Sequence, residues 1–419
     1  MKSINRQGFA CASFLLLSAW TPAANVVLAA WEVVPDLELA VEARDNARLR
    51  EDLAVTPQND DTTTRMLFSG RFSMANIGQR SDLFVEPRIR TDAYADAQDD
   101  ELQSDDYYLN ARGRYIWEKA ALGFRSFLSR ESVYHSELLD AEPLDPDFDD
   151  PVAVDTGRLQ RLEEMQKRVT LTPYVSVDLS ERTSFLLEAR YLDVSYTGDP
   201  FAGLTDFSDE SFSVGIVRQV NDLNSASARL TVADFEADAT QNQTNTTGVE
   251  GLFTRVLSDI WTFTLSTGLQ RSDMEFRNAQ AQLVEDVDTN VTLGLGFRKR
   301  SDVATLNLDV RRLIDPNSSG FLEQRDEVRL SLRRRMSPTV TGGFAFRAID
   351  TNALEDTLPT VGRDYARVDL SVEWALTPSW ALGLSYDTIY QKFANQADNE
   401  TSNGVSIGVN YRGLSRSAN

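Results

Sequence analysis

The chain has little of the chemistry on which enzymes and metal sites depend. Its 419 residues include one cysteine, Cys11, and one histidine, His135. With so few thiols, disulfides, thiolate metal sites and cysteine nucleophiles are not expected in the mature chain. Basic residues are also scarce, since 42 Lys and Arg stand against 64 Asp and Glu for a net charge of -22. A nucleic-acid partner is therefore not expected, because such binding needs a basic footprint.

The N-terminus has the layout of a secretory leader. Lys2 and Arg6 precede an apolar stretch centred on residues 14–17, and Val27-Leu28-Ala29 places small or compact residues where signal peptidase cleaves. We predict a signal peptide over residues 1–29, with cleavage after Ala30 as the alternative. Cys11 falls inside this leader. No later run approaches the roughly 18 apolar residues of a membrane helix.

The rest of the chain alternates between apolar and polar residues. Val405, Ile407, Val409 and Tyr411 are separated by small or polar residues, and residues 368–374 and 291–297 follow the same period. A strand points successive side chains to opposite faces, so this period predicts strands with one apolar and one polar face. Mean hydropathy is only -0.33, as a membrane barrel allows, because every second strand residue avoids lipid.

Turn signals recur about every 40 residues and divide the chain into hairpins. Short polar turns alternate with longer polar connections, as in barrels with short periplasmic turns and long extracellular loops. We therefore predict an all-β, transmembrane, antiparallel up-and-down β-barrel of about 16–18 strands over residues 30–419. The predicted short turns lie at residues 78–81, 119–120, 180–183, 221–222, 258–259, 300–302, 337–338 and 377–378, and the long connections at 197–207, 237–245, 315–324, 352–362 and 393–400.

Aromatic residues beside the short turns favour a membrane barrel over a soluble all-β protein. They are Trp117, Trp261, Phe297, Trp374 and Trp380. Amphipathic rings at this height would form an interfacial girdle, whereas in a soluble sandwich they would pack strand ends. The apparent strand length of about 10 residues matches a bilayer crossing and exceeds the usual 5–6 residues of soluble strands.

Arginines and acids lie two residues apart within several strands and so share a face. An Arg facing lipid near the midplane would cost about 2–4 kcal/mol, so we predict that these side chains face the lumen. Arg312 and Arg334 instead fall on the lipid-facing side, near strand ends. The lumen charges either hold the barrel's shape or tune the selectivity of a pore, and the sequence leaves both open. The candidate lumen-facing residues are Arg88, Arg112, Arg114, Arg190, Arg311, Arg329, Arg333, Arg367, Asp369 and Glu373.

No catalytic, cofactor-binding or metal-binding residue is predicted, and no cofactor. His135 is followed by Ser136, but adjacent residues of a strand point to opposite faces and cannot pair as nucleophile and base there. Residues 136–165 form a long acidic connection that includes Asp145 and Asp147. It lacks the Gly and Glu of a calcium loop, so a solvated extracellular loop is the simpler interpretation.

Four hairpin turns carry a family resemblance: Leu179-Ser180-Glu181, residues 257–261, Met336-Ser337-Pro338 and residues 376–380, together with the closing strand from Val405 to Tyr411. With these features the chain resembles the type-two β-barrel porins of Proteobacteria, several of which are similar to barrels found beside exopolysaccharide biosynthesis and export genes. The closing aromatic is followed here by residues 412–419, a departure from barrels that end on it.

The resemblance implies an outer-membrane, porin-like channel, not an enzyme, that serves exopolysaccharide export or solute passage. The implied partners are outer-membrane lipid and lipopolysaccharide, a polysaccharide and periplasmic export proteins. Two alternatives stay open: a non-conducting structural or docking barrel of an export system, and an outer-membrane hydrolase that would need His135. The sequence leaves the solute and the oligomeric state undetermined.

Overall fold

A computed structural model describes most of the chain and shows one antiparallel sheet. The described residues are 31–47, 62–95, 103–133, 164–197, 204–238, 241–277, 283–354, 362–394, 399–413 and 416–418. The predicted signal peptide, His135 and the acidic connection at 136–163 lie outside them. In the described ranges, no helix has both the length and the hydropathy needed to span a bilayer.

The sheet closes into a barrel because each strand pairs with its neighbours in the chain and the first pairs with the eighteenth. A short nineteenth strand pairs with the start of the first, beyond the stretch of the first that pairs with the eighteenth. The strands are β1 Trp31–Arg44, β2 Thr63–Ile77, β3 Ser81–Tyr94, β4 Asp105–Ile116, β5 Ala120–Ser132, β6 Met165–Ser180, β7 Thr183–Thr197, β8 Phe207–Asn221, β9 Asn224–Ala237, β10 Asn242–Ser258, β11 Trp261–Arg277, β12 Leu283–Arg300, β13 Ala304–Pro316, β14 Leu322–Arg335, β15 Val340–Ala353, β16 Arg363–Ala375, β17 Trp380–Phe393, β18 Glu400–Arg412 and β19 Arg416–Ala418.

All eight predicted short turns are confirmed, and each joins two consecutive strands. Strands β1–β18 are longer than the predicted 10 residues, reaching 18 residues in β12. Alternation alone predicts a first strand over Leu37–Arg48, whereas the first strand of the structure is Trp31–Arg44. Its early residues include Pro35 opposite Phe72, which blurs the apolar period without ending the strand.

The outer face of the barrel is apolar and exposed. Leu39, Leu230, Leu269 and Leu384 are each about half exposed or more, on the face that a soluble protein would bury. Aromatic rings cluster at the short-turn end, where Trp380 packs on Tyr411 with centroids 4.9 Å apart. In water this surface would be strongly unfavourable, whereas in a bilayer it meets lipid. The fold is that of a transmembrane barrel.

Candidate functional site

The inner face of the barrel carries most of the charged side chains that the strands contain. The cross-strand register shows which residues share a face of the sheet, because directly opposed residues on neighbouring strands point to the same side. By register, the ten predicted lumen residues all have the parity opposite to that of the apolar residues on the lipid-facing side of their strands. They are Arg88, Arg112, Arg114, Arg190, Arg311, Arg329, Arg333, Arg367, Asp369 and Glu373.

Near the short turns, the charged side chains of the inner face are exposed to solvent. The Arg333 guanidinium lies 3.8 Å from Glu373, and their side chains are 68% and 44% exposed. Arg114 pairs with Asp82 at 3.2 Å in an equally open setting. Exposed pairs of this kind hold each other weakly, at about 0–1 kcal/mol, so they remain available to passing ions. We call this wide periplasmic half of the lumen the vestibule.

The extracellular half is lined by buried ion pairs. One chain of contacts crosses the line where the barrel closes: Asp387 accepts from Arg44 at 2.6 Å, Arg44 donates to Glu42 at 2.7 Å, and Glu42 accepts from Arg65 at 2.7 Å. Arg65 continues the chain to Asp92 at 3.1 Å. Opposite charges alternate through four strands, which satisfies each group at a depth where an unpaired charge would be costly.

A second buried cluster is centred on Glu327 of β14. Its carboxylate accepts from Arg329 at 2.5 Å, from Arg347 at 2.7 Å and from Arg325 at 3.5 Å. Arg325 also lies 3.9 Å from Asp315. One carboxylate therefore organises three guanidiniums contributed by two strands, and it fixes the upper part of the β14–β15 wall.

The connection between β13 and β14, residues 317–321, folds into the extracellular mouth; we call it the tip. The Thr205 amide, just before β8, donates to the Ser318 carbonyl at 2.8 Å. The Asn242 side chain donates to the Gly320 carbonyl at 2.8 Å. Gly320 has φ 81°, a left-handed conformation that glycine adopts without steric cost. The predicted extracellular loop at this position is thus an inward connection that reaches the wall near β8 and β10.

Apolar side chains seal the tip against that wall. Leu322 belongs to a buried cluster with Phe207 and Phe235, whose centroids are 5.7 Å apart. Phe321 meets Phe276 edge-on at 6.1 Å in a second cluster. Burial of several aromatic rings, at about 25 cal/mol per Å² of apolar area, keeps the crossing in place. It obstructs part of the axial path above the vestibule.

Between the vestibule and the mouth, strands β3–β6 present guanidiniums stacked on aromatic rings. We call this surface the aromatic wall. Such stacks hold the guanidinium charge in place against the face of the ring. The four contacts place Arg112 5.0 Å from the Phe84 centroid, Arg88 5.6 Å from Tyr108, Arg125 5.8 Å from Tyr174 and Arg168 5.6 Å from Phe127.

The predicted residues divide between these regions. Arg114, Arg333 and Glu373 belong to the vestibule, while Arg88 and Arg112 lie on the aromatic wall. In the interior, Arg329 joins the Glu327 cluster. The others lie in separate inner ion pairs: Arg367 with Asp369 at 2.6 Å, Arg190 with Asp209 at 3.4 Å, and Arg311 with Asp309. Whether any of them selects ions stays a prediction.

Several central residues were not among the predicted ones, above all Glu42, Arg44, Arg65, Glu327 and Arg347. The signal was present in the sequence as acids and arginines two positions apart, Glu42 with Arg44 and Arg325 with Glu327. The alternation of charge along one strand face therefore marked these clusters, although it did not show which strands they connect.

Comparisons with known proteins give fold-level likeness only. The chain matches no protein-family model and no curated protein. Three similar solved structures are Pseudomonas aeruginosa OpdK with vanillate (12% identity, 92% of this chain and 99% of that one, TM-score 0.44), P. aeruginosa OccK2 (OpdF) with glucuronate (12%, 92% and 98%, 0.46) and Acinetobacter baumannii OccAB3 (12%, 92% and 99%, 0.43). The chain is a closed antiparallel barrel of 18 strands with a lipid-facing outer surface, the architecture of bacterial outer-membrane proteins.

Proposed function

We propose that the barrel is a channel for hydrophilic solutes whose charged lumen selects what passes. The observation that carries the proposal is the water-exposed vestibule lined by arginine–carboxylate pairs, such as Arg333 with Glu373 and Arg114 with Asp82. A structural barrel gains nothing from such weak pairs, whereas a pore uses rings of charge to set selectivity. Barrels of 16–18 strands generally leave an aqueous channel.

The narrow extracellular half makes passage restrictive. Arg44, Arg65 and Glu42 are nearly fully buried in the closing-line network, and the tip crosses the mouth. A conducting path therefore runs beside these elements, and we expect small conductance steps in place of those of a wide general pore.

The finer proposal is that the solutes include saccharides, and that the protein serves exopolysaccharide export. The family resemblance suggests the export role, and the aromatic wall supports a sugar ligand chemically. Rings such as Phe84 and Tyr174 can stack on the apolar face of a sugar, while Arg112 and Arg125 donate to its oxygens. A purified saccharide that blocks ion current from the periplasmic side would support this proposal.

The test of the channel is single-channel recording of the refolded mature chain in planar bilayers. We expect discrete conductance steps and a shift toward cation selectivity in Arg333→Glu, because its side chain faces open water. Arg271→Glu is the matched control: Arg271 is also well exposed but lies on the outer face beside Asp273, so its selectivity should equal that of the unaltered protein.

Absence of steps in protein shown to be folded and inserted would refute the open channel and favour the structural or docking alternative. The hydrolase alternative depends on His135, and His135→Ala would have to abolish a measured hydrolysis for it to hold.

A further inference from the structure

The barrel wall is split between β12 and β13. Their ladder ends at Leu293 opposite Arg312, although β12 continues to Leu283 and stays paired with β11 to that end. In the parts of the chain that the structure describes, residues 283–292 pair on one side only. The neighbouring β13–β14 ladder, in contrast, is complete up to Leu322.

Above the split, the two edges overlap because the β13–β14 hairpin lies inside the β11–β12 hairpin. The tip residue Phe321 packs edge-on against Phe276, and Val284, the register partner of Phe276, packs against the same apolar cluster. Side-chain packing therefore closes this junction, whereas backbone hydrogen bonds close the others. Parting these two edges breaks no described ladder, so it should cost less free energy than parting a hydrogen-bonded junction.

A groove of about 840 Å³ begins on the outer surface where the ladder ends, and both Leu293 and Arg312 line it. Its floor is apolar and includes Leu265, Leu295 and Val310, all on the lipid-facing side of their strands. The lower end of the split and the groove therefore adjoin on the lipid-facing surface, at Leu293 and Arg312.

The upper rim of the groove is a row of charges on the same outer face. Register places Asp326 opposite Arg312, Asp350 opposite Asp326, and Asp364 between Asp350 and Lys392. Arg312 donates to both carboxylate oxygens of Asp326, at 2.7 and 2.6 Å. Two cations against three carboxylates leave the row with a net charge of −1.

The row marks the outer boundary of the lipid-facing band. Arg312 stands eight residues above Ala304, the first residue of β13. At about 3.3 Å per residue and a strand tilt of about 40°, this is roughly 20 Å above the short turns. The apolar band of such barrels is about 25 Å tall. An apolar floor beneath a charged rim at this height matches a molecule with a hydrocarbon part and one polar end.

We propose that the split is a lateral passage through which an amphiphile with an uncharged or cationic polar end moves between the lumen and the outer leaflet. The β11–β12 hairpin moves off the tip, the hydrocarbon part enters the groove over Leu295 and Val310, and the polar end remains at the charged row. The axial seal made by Leu322 stays closed during this movement. The route is separate from the hydrophilic path through the vestibule.

The test crosslinks the split in the full-length protein on intact cells. Val284→Cys with Phe321→Cys, in a Cys11→Ser background, is joined by a short reducible bis-methanethiosulfonate. The matched control, Thr205→Cys with Ser318→Cys, links the tip to the chain just before β8 and leaves β12 unlinked. The backbones of these two residues already share a hydrogen bond of 2.8 Å. The probe is N-phenyl-1-naphthylamine, an uncharged hydrophobic amine excluded by intact lipopolysaccharide, and uptake is followed by fluorescence.

We expect the split crosslink to lower dye uptake to the level of cells without the protein, and reduction to restore it. The control crosslink should leave uptake unchanged. Uptake that persists through the split crosslink, or that falls equally in the control pair, would overturn the proposal.

An anionic dye of similar size, dansylaminoundecanoate, should enter more slowly than the uncharged dye. Equal rates of entry would refute the assignment of an uncharged or cationic polar end. Because the crosslink is added after folding, both states are measured on the same molecules. Single-channel conductance is recorded separately, so a failure of the hydrophilic channel leaves this result interpretable.

Discussion

Removing the charge of Glu327 should destabilise the barrel far more than removing the charge of an exposed lumen carboxylate. Glu327 is 3% exposed and accepts from three guanidiniums, of which those of Arg325 and Arg347 are also buried. Breaking a buried pair by removing one partner costs about 3–5 kcal/mol, since a buried charge is left behind. Arg325 keeps Asp315 at 3.9 Å, so we expect Glu327→Gln to lose about 3 kcal/mol.

The assay is equilibrium urea unfolding in lipid vesicles, followed by tryptophan fluorescence and by the heat-dependent gel mobility of folded barrels. Glu373→Gln is the matched control, because Glu373 is 44% exposed and its Arg333 partner is 3.8 Å away; it should lose at most about 1 kcal/mol. The double variant Glu327→Gln with Arg347→Met should recover part of the loss, since the unpaired cation is gone. Equal losses of unfolding free energy in Glu327→Gln and Glu373→Gln would refute the conclusion that buried ion pairs stabilise the interior.

Two further substitutions test the mouth and the aromatic wall. Gly320→Ala places a side chain at φ 81°, a conformation that costs about 1–2 kcal/mol. The tip should become more mobile, and single-channel current should become noisier. The neighbouring Ser319→Ala is the control and should leave the current unchanged. Gly123→Ala puts a Cβ into the Tyr174 ring and should destabilise the barrel by about 1–3 kcal/mol in urea unfolding; Gly251→Ala, whose Cβ would meet nothing nearer than 3.9 Å, is its control.

Alternation and turn chemistry were sufficient to predict the barrel. Each of the eight short turns fell where the residues indicated, because tight turns need particular backbone conformations that leave a local signature. The same parity assigned Arg88, Arg190 and Arg367 to one face, since a period of two needs no knowledge of the partner strand. Local physics therefore determined the strands, the class of fold and the sidedness of the charges.

Strand length and the bending of the wall were not predictable in this way. The apolar period of β13 runs from Leu306 to Val310 and resumes at Ile314 after Arg312, so it does not show that the strand leaves β12 at this point. That departure depends on Phe321 finding Phe276 on another hairpin, a contact between distant parts of the chain. Similarly, the spacing of Glu42 and Arg44 indicated a shared face but not that Arg44 would reach β17.

The contact between Arg44 and Asp387 joins residues 343 positions apart, which has a consequence for how the barrel is made. Bringing such distant segments together carries a large loop-closure entropy, and folds dominated by distant contacts form slowly. Until β18 meets β1, Arg44 and Glu42 lie on an open edge with a half-assembled set of partners. The ion pairs at the closing line therefore stabilise only the closed barrel. A chain that lacks its last hairpin should remain open and be cleaved by periplasmic proteases.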